Sequence, residues 1–198
     1  MKANTAHTPP TSQDETLLIR RILDGQTGLF RQLIARYAQQ VLRMVGRIIT
    51  SPEDAEDVVQ DTLLAAYRSL DRYDARQSSF HTWLMAIAYH TAMNHVRRAH
   101  KLPFADTDQA LLDAIPDAEA DALLSDTRQE RMALLERTVA ELQPSDQLLL
   151  SLYYYDDRPI SDIALITDHS EGYLRSRLQW IRKRLAFTIK ALENHDKE

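Results

Sequence analysis

Phe30, Leu33, Ile34, Tyr37, Val41, Leu42, Val45, Ile48 and Ile49 recur at helical spacing, which predicts one long helix across this stretch. Ahead of it, Ser12 with Glu15 resembles a capping box opening a short helix, and Gly25 is its expected stop. A third helix opens at SPEDAEDVVQDTL (51–63), where Ser51, Pro52, Glu53 and Asp54 supply the start, and runs to about Leu70. Ala55, Val58, Val59, Thr62, Leu63, Ala66 and Leu70 share one face of it, which must be core. Asp57, Gln60, Asp61, Leu64 and Arg68 lie opposite. The residues alone leave two readings of that face open. It is a solvated surface carrying one leucine, or a docking stripe in which Leu64 is the apolar centre and the acids select a basic partner. DRYDARQSS (71–79) interrupts the pattern, and FHTWLMAIAYHTAMNHVRRAHK (80–101) reads as a helix, apolar early and basic late. These four helices predict one compact unit over residues 12–101.

Residues 102–127 hold two prolines and seven acids, and read as a linker with a short helical turn around Ala110–Ala114. A second unit is expected over 128–194: a helix through about Leu142, then PSDQLLLSLYYYDD, PISDIALIT and a long terminal helix from about Glu171. Within ISDIALITDHSEGYLRSRLQWIRKR, Ile163, Ala164 and Ile166 form an inward face, and Ser170 is placed to cap the next helix. Glu171 follows in the first turn, where the helix dipole favours an acid. Leu174, Leu178, Ile181 and Leu185 recur on one side, with Arg175 and Arg182 opposite and Arg177 nearer the flank. A basic stripe alone is usually a solvated face. A basic stripe, a short turn and a capped second helix together point to a helix-turn-helix that binds DNA, with phosphate contacts giving affinity and exposed early residues reading bases. Tyr153, Tyr154 and Tyr155 are expected to pack, leaving one exposed ring.

Composition narrows the classes. The 198 residues include 4 Gly and no Cys, which favours helices and excludes disulfides, thiolate metal sites and cysteine nucleophiles. The net charge of −5 is unevenly spread. Residues 1–101 carry 13 Lys and Arg against 10 Asp and Glu, 102–127 carry seven acids and no base, and 170–190 carry six bases against Glu171 alone. Such asymmetry speaks of partners. No apolar run approaches the ~20 residues of a membrane span, and the start has no apolar core of a secretory signal. No membrane insertion and a cytoplasmic place are therefore expected. No Gly-rich phosphate loop, HExxH or GxSxG is present, and His90, His95 and His100 fall five apart, off a common helix face. No catalytic residue, metal or cofactor is expected, and the chain is not read as an enzyme.

SPEDAEDVVQDTLLAAYRSLDRYDARQSSFHTWLMAIAYHTAMNHVRR resembles the second region of bacterial extracytoplasmic-function (ECF) sigma factors of the sigma-70 family, in its DAED-V-Q-D core and F-x-T-W-L segment. The later D-I-A and S-E-G-x-L-R-S-R resemble that family's fourth region. Both lie in the family's order, so the resemblance covers about residues 15–192. It implies an all-α fold of two helical domains, a region 2 bundle and a region 4 helix-turn-helix, joined by the acidic linker. Asp57, Gln60, Asp61 and Leu64 match the face that docks on the clamp helices of the largest core RNA polymerase subunit. Asp71, Arg72, Tyr73, Asp74, Ser79 and Phe80, in the loop that captures a flipped base, match the −10 site, as do Asn94, Arg97 and Arg98 on the helix that follows. Phe80 and Trp83 are open between lining that loop and core, with core favoured for Trp83. Ser170, Gly172, Tyr173, Arg175, Ser176 and Arg177 match the reader of the −35 element. The helices before it match those that hold the flap of the second large subunit, and the linker matches the segment that threads the polymerase channels. An anti-sigma partner is implied by family analogy alone. The chain departs from the pattern at His90 for an Asn, at Asp168 for the turn glycine, at His169 for a buried aliphatic, and at Tyr173-Leu174 for Thr-Val. The alternative function is a stand-alone helix-turn-helix repressor or activator, with residues 1–101 dimerising or sensing.

Overall fold

The computed structural model describes residues 13–99 and 129–195. Ser12 and the linker 102–127, with its expected turn, lie outside them. The regular elements of the described residues are all helical. They are α1 (Gln13–Leu23), α2 (Leu29–Ala35), α3 (Ala38–Gly46), α4 (Pro52–Arg68), a 3-10 turn (Leu70–Arg72) and α5 (Phe80–Ala99). Then come α6 (Gln129–Ala140), α7 (Pro144–Leu150) running into a π turn (Ser151–Tyr155), α8 (Ile160–Thr167) and α9 (Glu171–His195).

The long helix expected over 30–49 is two helices, broken at Tyr37. The Tyr37 N–H donates to the Ile34 carbonyl at 2.8 Å, tightening the turn. Its side chain gives the cause. The hydroxyl donates to the Glu15 carboxylate of α1, while the ring packs 5.6 Å from Phe80 and 5.4 Å from His81 on α5. Burial, and then the Glu15 carboxylate, push this hydroxyl well above the usual phenol range. The apolar spacing survives the break because Leu33, Ile34, Val41, Met44 and Val45 enter one core, although Leu42, counted on the same face, is 45% exposed. Glu15, expected in a capping box, is buried and engaged by Tyr37 and by Arg36 at 3.7 Å. Gly25 ends α1 as expected, with a φ of +101° that a side chain rarely adopts.

α4 packs on α3 and α5, and α8 packs along α5 as well as on α9. One continuous core therefore joins Leu33, Val58, Phe80 and Leu84 of the first unit to Leu148, Leu152, Ile163 and Ile181 of the second.

Candidate nucleic-acid interface

The start of α4 follows from its first four residues. The Ser51 hydroxyl accepts the Asp54 N–H at 3.3 Å, and Pro52 occupies the first turn with Glu53 and Asp54 against the dipole. Ala55, Val58, Thr62 and Ala66 are buried, and the Thr62 hydroxyl donates to the Val58 carbonyl at 2.7 Å. Asp57, Gln60 and Asp61 are exposed and have no hydrogen-bond or ion-pair partner among the described residues. Leu64 stands beside them, 46% exposed. Tyr67, three residues on and edge-on to Phe30 at 5.0 Å, extends the apolar patch. The sequence reading missed it, although its i+3 spacing from Leu64 was the available signal.

The loop after α4 is held by its own side chains. The Tyr73 hydroxyl donates to the Ser78 carbonyl at 3.1 Å. Asp74 accepts the Arg76 backbone N–H at 3.0 Å and its guanidinium at 2.8 Å. These bonds hold the Asp74 carboxyl well below the usual carboxylate range. The Ser79 hydroxyl accepts the Thr82 N–H at 3.1 Å and so caps α5. Asp71 and Arg72 are exposed, and Tyr73 and Asp74 are half-buried. Phe80 departs from the expected −10 surface. It is fully buried, 5.5 Å from both Tyr73 and Trp83, and supports the loop from beneath. Trp83, for which core was favoured, is the half-buried one of the pair. At the far end of α5, Asn94, Arg97 and Arg98 are exposed, the arginines where the dipole favours cations.

The break between α8 and α9 rests on Asp168, which adopts the left-handed conformation (φ 57°, ψ 40°) that a turn glycine would supply. Ile163 and Ile166 are buried, and the Ser170 hydroxyl accepts the Tyr173 N–H at 3.2 Å, capping α9. Ser170, Gly172, Tyr173, Arg175 and Ser176 are all exposed on the first turns. Arg175 pairs with Glu171 at 2.6 Å across one turn. A Cβ on Gly172 would meet nothing within 4 Å, so the fold does not require glycine there. His169, at a position expected to be buried, is exposed and packs 4.6 Å from the Tyr173 ring.

Arg177 behaves differently from its neighbours. Its guanidinium makes two 2.8 Å bonds to Asp146, a buried acid in the first turn of α7, and lies 4.1 Å over the Trp180 ring. The sequence placed Arg177 among the −35 contacts; in the structure it ties α9 to α7. Asp146 escaped the sequence reading because the pair is 31 residues apart and neither residue lies in a motif. Two tyrosines are exposed where one was expected, Tyr154 at 54% and Tyr155 at 82%. The π turn, closed by the Asp156 N–H on the Ser151 carbonyl at 3.0 Å, widens the helix and rotates them outward.

Among the described residues, no helix is long and apolar enough to cross a membrane, and no cluster of His, Asp or Glu is placed to hold a metal ion. Comparison with known proteins bears on the whole arrangement. A family model for Sigma-70 region 2 matches residues 33–102. The chain is 30% identical over 177 residues to the RNA polymerase sigma-H factor of Pseudomonas aeruginosa, covering 85% of this chain and 90% of that one. It is 31% identical over 172 residues to the ECF RNA polymerase sigma-E factor of Escherichia coli K12, covering 83% and 88%. Two solved structures share the fold. CnrH in complex with the cytosolic domain of CnrY matches with a TM-score of 0.56 at 20% identity, over 91% of this chain and 97% of that one. RpoE in complex with the anti-sigma factor NepR, from Bartonella quintana, matches with a TM-score of 0.54 at 20% identity, over 81% and 96%.

Proposed function

The chain belongs to the ECF sigma factors, the transcription initiation factors of RNA polymerase, and on that premise we propose how its surfaces divide the work. The stripe of Asp57, Gln60, Asp61 and Leu64 docks on the clamp helices of the largest core subunit, with Leu64 desolvated at the centre and the acids facing a basic partner. Asp71, Arg72, Tyr73, Asp74 and Ser79 frame the −10 pocket, and the buried Phe80 acts only through them. Base flipping costs a few kcal/mol, which a shaped pocket recovers, and a loop pinned from Tyr73 to Ser78 is already shaped. Asn94, Arg97 and Arg98 follow the −10 strand. Ser170, Gly172, Tyr173, Arg175 and Ser176 enter the major groove at the −35 element, and Arg177 positions their helix. The second large subunit's flap and an anti-sigma factor are the further partners this reading implies. The chain itself is a cytoplasmic, non-catalytic subunit of two units, 12–101 and 128–194, joined by 102–127.

The observation that carries this reading is the coexistence, in one chain, of exposed and unpaired acids around Leu64 with a capped and exposed helix-turn-helix. A stand-alone repressor has no use for the first. The test is transcription in vitro: the purified chain is mixed with core polymerase and genomic DNA, and the RNA 5′ ends are sequenced. Discrete starts that require the chain support the reading. A chain that grips promoter fragments alone and never joins core enzyme is a repressor or activator.

A further inference from the structure

The loop between the 3-10 turn and α5 is closed by the Tyr73 hydroxyl on the Ser78 carbonyl, so residues 74–77 form its tip. Asp74 organises that tip. Its backbone carbonyl accepts the Gln77 N–H at 3.0 Å, and its Oδ1 accepts the Arg76 N–H at 3.0 Å. The Arg76 guanidinium then lies along the same carboxylate, with Nε 3.0 Å from Oδ1 and Nη2 2.8 Å from Oδ2. Gln77 Nε2 adds a longer contact to Oδ2 at 3.4 Å. The guanidinium first, and the Arg76 backbone N–H second, keep this carboxyl ionised at every physiological pH.

The Arg76 side chain is 89% exposed, and an ion pair so placed contributes little to stability. What the pair does is aim the guanidinium. That group carries five N–H donors in a fixed plane. Asp74 engages Nε–H and one N–H of Nη2. The Nη1–Nη2 edge, with two parallel donors, is left pointing away from the carboxylate. The side chain is therefore ordered before any ligand arrives, which lowers the entropic cost of binding one.

Resting on the assignment of this loop to the −10 strand, we infer that Arg76, buttressed by Asp74, reads a base there and selects guanine. Two parallel donors need two adjacent acceptors, and on the major-groove edge only guanine offers them, at O6 and N7. Adenine sets a donor beside its acceptor, cytosine offers a donor, and thymine offers a single acceptor. A base drawn out of the stack presents that edge without obstruction. A phosphate also accepts two N–H bonds, but charge argues against one here. The Asp74 carboxylate already neutralises the guanidinium at 2.8 Å, so the pair keeps its donors and loses its attraction for an anion. Arg97 and Arg98, which have no ion-pair partner among the described residues, are the cations left for phosphates.

The test uses the full chain with core polymerase on a promoter whose start has been mapped by sequencing RNA 5′ ends. Each base of the −10 element is varied in turn, and transcript yield is measured. Adenine in place of one guanine should lower the yield about tenfold. At that position 7-deazaguanine, which lacks the N7 acceptor, should lower it several-fold, and inosine, which keeps O6 and N7, should not. Arg76→Ala should bring the guanine promoter down to the adenine one and lower the adenine one no further. Arg76→Gln should move the preference to adenine, whose N6 and N7 suit a carboxamide; a residue that only shapes the loop would give no such switch. Asp74→Asn should weaken the discrimination, and the Arg76 variants should keep the wild-type Tm. Chain-dependent starts that are indifferent to guanine and to Arg76 overturn the guanine reader and leave the sigma reading standing. A loss with Arg76→Ala that is equal for all bases, with a shallower salt dependence, makes Arg76 a phosphate contact and also overturns the reader. The absence of any chain-dependent start overturns the sigma reading, and the guanine reader with it.

Discussion

α4 and α9 are built alike and placed differently. Each opens on a serine whose hydroxyl accepts an N–H three residues on, at 3.3 Å and 3.2 Å. Each buries one apolar face and turns charge outward. On α4 the outward acids are unpaired among the described residues. On α9 the cations are already engaged, Arg175 by Glu171 and Arg177 by Asp146 and Trp180. A charged helix face is thus only a candidate surface, and what decides its use is how many of its charges the fold has already claimed. By that measure α4 is free to attract a partner, whereas Arg177 serves the fold.

The sharpest break of this comparison is Asp146→Ala. It removes the carboxylate partner of a largely buried guanidinium and should cost about 3 kcal/mol, a loss of roughly 9 °C in Tm for a chain of this size. Arg177→Ala should cost a similar amount, and the double variant no more than either. A thermal melt measures all three. An unmoved Tm for Asp146→Ala would mean that the Asp146 pair contributes no more than the exposed Arg175–Glu171 pair. The next effect comes from His81, which lies against Arg158. The folded pKa of His81 is depressed to about 4, so its contribution is present above about 6.5 and lost as pH falls toward 4. From pH 7 to pH 5 that amounts to about 2 kcal/mol, and His81→Gln should remove this part of the pH slope in urea melts.

On α4, Asp61→Arg should weaken core polymerase affinity about tenfold, or ~1.4 kcal/mol, with Tm unchanged. Equal affinity by fluorescence anisotropy refutes the docking role. The smallest effect sharpens the α9 side. Since nothing within the fold requires Gly172, Gly172→Ala should stabilise the helix by about 0.5–1 kcal/mol. The same change should weaken −35 binding a few-fold by adding a methyl where the backbone approaches DNA. A variant that gains stability and binds equally well shows that the glycine is not a contact.

The parts of this arrangement set by neighbouring residues were legible in the sequence. Ser51 and Ser170 cap as expected, the face from Ala55 to Leu70 is inward, and Asp168 takes the left-handed turn. The illegible parts depend on partners far along the chain. Tyr37 breaks a helix for Glu15, 22 residues away, and Arg177 answers to Asp146, 31 away. The Arg47–Asp156 ion pair spans 109 residues. Phe80 and Trp83 carried the same apolar signal, and only the packing of Tyr37 and Tyr73 decides which ring goes under. Periodicity reports which side of a helix faces inward, and it is silent about which distant element arrives there.

The pairing of α5 with α8 also fixes an order of events on the ribosome. His81 leaves the tunnel 77 residues before Arg158, an interval of about 4–15 s at typical bacterial and eukaryotic elongation rates. Throughout that interval the side of α5 that α8 later covers lies in water, and the first unit must hold together on the contacts among α1 to α5 alone. The half-made protein thus passes through a form whose α5 surface is covered only when α8 arrives.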